Sequence, residues 1–155
     1  MEWDHIIKNG TIVTSREQYK ANIYVKDEKI AAISSVELPG DAREITDANG
    51  KYVLPGFIET HVHSRDGRKG AYYKEDFFHS SMAGVVGGVT TLFEMPNCNP
   101  AIYNVENMND LISCITPKAH LDFGVWALCL GNLNKDQIIP LAEAGVVGFK
   151  FFWGY

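Results

Sequence analysis

The spacing of apolar and polar positions changes rhythm near Pro55. Before it, short β-prone runs alternate with turn signals. "HIIKNGTIV" sets two such runs around Asn9-Gly10, a strong hairpin signal. "NIYVKDEKIAAIS" repeats the form with Asp27-Glu28-Lys29 as the turn, and "DANGKYVLPG" carries another Asn-Gly. Residues 1–52 are therefore expected to form a small β-layer module, too small to be stable alone. After Pro55 the rhythm becomes strand then helix. Residues 53–59 read as an apolar strand, and "YKEDFFHSSMAGVV" as a helix stopped at Gly87-Gly88. "VTTLFEM" is the next strand. "NVENMNDLISCI" puts Val105, Met108, Leu111, Ile112 and Ile115 on one helical stripe, with Asn104 as its cap and Pro117 closing it. "LDFGVWALCL" is a third strand. "NKDQIIPLAEAG" predicts a helix entered through Asn134, bent or broken at Pro140 and stopped by Gly145; "VVGFKFF" is a fourth strand. Four strands alternating with three helices predict an α/β fold of parallel units with right-handed crossovers.

Composition narrows the function. Of 155 residues, 46% are hydrophobic and 21% charged, a globular balance, and the net charge of −5 argues against non-specific nucleic-acid binding, which needs a basic face. Cys98, Cys114 and Cys129 are odd in number and widely spaced, which disfavours a disulfide framework and favours a reducing compartment. The N-terminus lacks a signal-peptide pattern, and no apolar run approaches the ~18 residues of a membrane helix. A cytoplasmic protein is expected.

The candidate chemistry lies in "PGFIETHVHSRD" and "GVVGFKFFWGY". Strand side chains alternate with period two, so His61 and His63 should share a face, as should Glu59 and Arg65. They lie just past an apolar strand, the end that carries function in parallel β/α folds. Two imidazoles so placed suit one divalent metal; a bare H-x-H suits a hydrogen-bonded surface pair equally well. Lys150 stands in an apolar strand expected to be covered on both faces. A buried amine tends toward neutrality and can add carbon dioxide to become an anionic carbamate, a two-oxygen ligand able to bridge metals. The competing reading is a lysine reaching to solvent or pairing with a carboxylate.

"VLPGFIETHVHSRD", "YKEDF", "GGVTTLFEMPNCNPAI" and "AGVVGFKFF" together resemble the cyclic amidohydrolases of the amidohydrolase superfamily, most of all dihydroorotase. The likeness is close over residues 53–155 and extends to residues 1–52 in strand pattern only. It implies the N-terminal half of a (β/α)8 TIM-type barrel, preceded by part of a small β-sandwich-like module and truncated after the fourth barrel strand. It implies that His61 and His63 bind the more buried of two divalent metals, zinc by expectation, and that Lys150, N6-carboxylated, bridges to the second. Arg65 and Asn97 correspond to the pair that holds a substrate carboxylate, chemistry suited to a guanidinium fork and an amide. The reaction implied is hydrolysis of a cyclic amide such as dihydroorotate by a metal-bridged hydroxide, in a homo-oligomer acting on a small molecule, with allantoinase or hydantoinase/dihydropyrimidinase as alternatives. Two departures stand out: Glu59 replaces the usual Asp, and "DGRKG" replaces Glu-Pro-Gly after the arginine.

A full barrel takes about 250 residues, so the remaining metal histidines and the general-base aspartate are expected elsewhere; no catalytic group is assigned within these residues, and the chain alone is expected to be inactive. A non-catalytic half-barrel serving assembly is the alternative from another class, since an unpaired parallel edge invites pairing. His79 and His120 are expected to be structural or exposed, and Lys74, Glu75 and Asp76 a solvated helix start. Trp126, Trp153 and the phenylalanine cluster are expected in the core. Cys98 has no base and is not a nucleophile.

Overall fold

The computed structural model describes residues 2–70 and 75–153, which divide into two compact units meeting in sequence at Pro55 and Gly56. Lys74 lies outside the described residues.

The first unit is one mixed sheet. Strand β1 (Trp3–Val13) lies between β2 (Gln18–Lys26) and β4 (Ala42–Asp47); β3 (Lys29–Ser34) flanks β2, and β5 (Tyr52–Val53) also pairs with β1. β1 runs antiparallel to β2 and parallel to β4 and β5. The expected hairpin at Asn9-Gly10 does not form: β1 passes straight through as a bulge, with a register shift between Ile7 and Gly10. A type I′ turn needs positive φ at both residues, and only Asn9 takes it (φ 62°). Its side chain is held by Asp47 and its N–H by Asn22, each at 2.9 Å. Gly10 is required for a different reason, since a Cβ there would lie 2.5 Å from Val53. The turn at Asp27-Glu28 does form, with φ of 52° and 61°.

The second unit is a parallel sheet in the order β6 (Phe57–Val62), β7 (Val89–Glu94), β8 (Asp122–Cys129), β9 (Gly148–Phe151), a curled half-barrel. Helix α1 (Phe77–Val86) connects β6 to β7, α2 (Val105–Ile115) connects β7 to β8, and α3 (Ile138–Glu143) connects β8 to β9. Asp76 caps α1 through the His79 amide, and Asn104 caps α2 through the Asn107 amide at 2.8 Å. The α2 stripe packs as its spacing demands: Met108, Leu111 and Ile115 are buried beside Phe77, Leu92, Val125, Ala127 and Leu141, with Val105 and Ile112 against them.

Three expectations fail here. Asn134 does not cap α3. It is buried; its carbonyl accepts from the Leu130 amide, and its NH2 donates to Tyr103 and Leu128 carbonyls, tying the loop after β8 to the loop before α2. Pro140 does not break α3, because the helix starts at Ile138 and the proline falls in the first turn, where an amide has no intrahelical partner. Trp153 is 92% exposed and Phe151 53%, not core. They sit on or beyond β9, which pairs only with β8 among the described residues.

Candidate active site

Side chains of the sheet divide by face. Val62, Leu92, Phe123, Val125, Ala127 and Phe149 belong to the helix-covered core. By strand alternation His61, His63, Trp126, Gly148 and Lys150 take the other face. The His61 amide donates to Glu59 at 2.9 Å, and the two imidazole Nε2 atoms stand 3.2 Å apart. Two nitrogens bound tetrahedrally to one zinc at ~2.0–2.1 Å would be roughly 3.3 Å apart, so the pair fits a shared divalent ion as well as a hydrogen bond between rings. Among the described residues no group of three His, Cys, Asp or Glu side chains could hold a metal; further ligands would have to be of another kind or lie elsewhere.

Lys150 is on the fourth strand, opposite Leu128 of β8, so the His pair and the lysine occupy the two outer strands of one parallel sheet. Its Nζ lies 5.4 Å from the Phe152 ring centroid, within cation–π range. The strand is not covered on both faces: its residues are half-buried or exposed, because β9 is an edge and its inner side has no layer over it among the described residues. Trp126 fills the space between. Its indole donates to the Thr60 carbonyl at 3.1 Å, next to His61, and lies over Gly148, where a Cβ would come within 2.5 Å of the ring.

Arg65 does not continue the strand's alternation. The strand ends at Val62, and Arg65 adopts a left-handed backbone (φ 58°). The cause is Glu94, at the end of β7 and fully buried, whose two carboxylate oxygens accept the Ser64 and Arg65 amides at 3.1 Å each. Burial pushes the Glu94 carboxyl up to about 7, and the two amides only partly offset it. Cys98 lies 3.7 Å from Glu94 and donates to the Met95 carbonyl; burial and then the neighbouring carboxylate push its thiol up, so it is no thiolate nucleophile.

The next residue, Asp66, is equally buried. It accepts from the Gly67 amide (2.7 Å), the Phe77 amide (3.0 Å) and Lys118 Nζ (2.7 Å), joining the loop to α1 and to the end of α2. Burial opposes the Lys118 charge, but the hydrogen bond and charge of Asp66 outweigh it, and its pKa rises.

Arg65 Nε and Asn97 Oδ1 are both buried without a hydrogen-bond partner among the described residues. Such orphans are costly, and they belong to the two residues for which the family resemblance implies substrate binding. Asn97 lines a cavity of about 660 Å³ with Cys129, Leu130, Leu133, Phe151 and Phe152, at the ends of β7, β8 and β9. That is the functional end of a parallel sheet. Glu94, Asp66, Lys118 and the role of Trp126 escaped the sequence reading. For Glu94 a signal existed: two residues after Leu92, it falls on the core face of its strand. His79 and His120 are exposed, as expected.

No family model matches the chain. It is 39% identical over 151 residues to an allantoinase of Desulfitobacterium hafniense (strain DSM 10664 / DCB-2), covering 97% of this chain and 33% of that protein. It is 40% identical over 157 residues to an allantoinase of Escherichia coli O1:K1 / APEC, covering 98% and 33%. Among solved structures it superposes on the L-hydantoinase (dihydropyrimidinase) from Arthrobacter aurescens with a TM-score of 0.83 and 32% identity, covering 95% of this chain and 32% of that one. The chain thus spans about a third of the length of the curated relatives it matches. These relatives bear allantoinase and hydantoinase names; the finer likeness to dihydroorotase is not among them.

Proposed function

From the cyclic amidohydrolases of the amidohydrolase superfamily, to which this chain belongs by sequence and fold, we propose that the intact protein hydrolyses a ring C–N bond in a small cyclic ureide of the allantoin or hydantoin class. The observation that carries this is the His61–His63 pair, 3.2 Å apart at the functional end of the first strand of a half-barrel. His61 and His63 would hold one divalent ion, and Lys150, as its carbamate, would reach a second. When bound, such ions lower the pKa of a bound water and polarise the ring carbonyl. The chain's own groups would bind and orient the ring through Arg65 and Asn97; no general base is assigned among them. Three free cysteines favour a reducing cytoplasm.

A second substrate reading, a carboxylate-bearing ring such as dihydroorotate, is favoured by one observation: the unpartnered Arg65 Nε and Asn97 Oδ1. Both readings are tested on the intact metal-loaded enzyme with allantoin, hydantoin and dihydroorotate. Turnover of the neutral rings, with Arg65→Ala costing no more on dihydroorotate than on hydantoin, supports the first. Preference for dihydroorotate, with Arg65→Ala costing roughly 1.5–3 kcal/mol in kcat/KM on that ring alone, supports the second. Turnover of none of the three overturns the family of reactions for this protein. In the same enzyme Lys150→Arg, which keeps the charge but cannot be carboxylated, is expected to lose one of two metals by elemental analysis; two metals and normal turnover would return Lys150 to a structural role.

A further inference from the structure

The turn that follows the histidine pair has no hydrogen-bonded ladder of its own. β6 ends at Val62, whose carbonyl accepts the Met95 amide at 2.7 Å, and further along the Ser64 and Arg65 amides both meet one side chain. That side chain is Glu94, 0% exposed and without an ion-pair partner among the described residues. An uncompensated buried carboxylate is expensive. Successive amides converging on one anion form a concave nest, and here the anion comes from the neighbouring strand.

We propose that Glu94 is a positioning residue for the proposed metal and substrate groups: by receiving the Ser64 and Arg65 amides it fixes the left-handed turn that sets His63 against His61 and launches Arg65 from the strand end. This rests on the reading of the histidine pair as ligands. Glu94 does not touch the pair's ring nitrogens; it acts through the two backbone amides that follow His63. The geometry asks for a carboxylate with both oxygens available. A glutamine of the same length offers one acceptor and turns an NH2 toward the other amide. An aspartate, one methylene shorter, is set back from both.

The test uses the full protein with Glu94→Gln, and Val125→Ala as a control that loses buried apolar volume in the register position beside Glu94 without touching the turn. Two quantities are read: hydrogen exchange in the peptide containing Ser64 and Arg65, and Zn2+ affinity by chelator competition. Glu94→Gln is expected to speed exchange at least tenfold in that peptide and to weaken Zn2+ binding about 10–100-fold, the scale of a lost outer-shell partner. Val125→Ala, with a comparable or larger drop in Tm, is expected to change neither. Unchanged exchange in Glu94→Gln, or equal effects in the two variants, overturns the proposal. If exchange rises in Glu94→Gln alone while even the unaltered protein binds no Zn2+, the positioning of the turn stands and the metal reading of the pair falls.

Discussion

Two buried carboxylates hold the loop after β6, and they do so by opposite means. Asp66, at the base of α1 and α2, receives two amides and the Lys118 ammonium. Glu94, at the rim of the sheet, receives two amides and, among the described residues, no cation. A counter-charge allows an anion to be buried and locked; without one, the same burial lifts the carboxyl to about 7 and leaves it responsive near neutrality. The base of the loop is a fixed latch, and the rim, next to His63 and Arg65, is where the environment can still act.

The comparison breaks most visibly if the latch is opened. Lys118→Met leaves Asp66, 1% exposed, without its cation. Because Lys118 is itself 35% exposed, the loss is expected at the low end of the range for a broken buried pair, about 3 kcal/mol by urea denaturation, with Asp66→Asn in the same chain recovering part of it. No loss would mean that the amides alone hold Asp66.

The rim predicts a pH dependence of the opposite kind to the usual carboxylate. The folded-state pKa of Glu94 is raised from 4.5 to about 7, so its contribution to stability is fully present below the unfolded value and is lost as pH rises through the folded one. Between pH 5 and 8 that loss is about 2–3 kcal/mol from linkage. It should vanish in Glu94→Gln when the two proteins' denaturation midpoints are compared across this range. A Glu94→Gln slope equal to that of the unaltered chain would place the titration elsewhere.

A half-buried carboxylate supplies the baseline. Asp76 caps α1 and pairs with His79 at 2.8 Å. The His79 amide, then its ring, hold the Asp76 carboxyl below its ordinary value. Asp76→Ala is expected to cost about 1 kcal/mol, less than either change at the buried pair, in the same denaturation assay.

What the sequence disclosed was what local spacing and capping decide. The α2 stripe, the Asn104 cap, the glycine stops and the order of strands and helices need only nearby residues. What it concealed depended on partners remote in the chain. Asn9-Gly10 has the composition of a turn, but Asp47 and Val53 arrive from elsewhere and make it a bulge. Asn134 has the composition of a cap, but three backbone groups claim its amide, among them the Tyr103 carbonyl 31 residues away. The histidine pair was legible because two residues on one strand face must meet. Arg65 was misplaced on that face because Glu94, 29 residues away, bends the chain before alternation can reach it. Lys118 and Asp66, 52 positions apart, carried no mutual sign at all.

The indole of Trp126 rests where Gly148 has no side chain, and this ties the heredity of two positions together. Bulk on one strand is tolerated only because its neighbour has surrendered it. A descendant that acquires a side chain at 148 must evict the ring and forfeit its hold on the Thr60 carbonyl, while one that shrinks 126 first opens a vacancy that 148 is then free to fill. The two sites can exchange large for small, but only with 126 reduced before 148 is filled, which binds the histories of β8 and the edge strand β9 together.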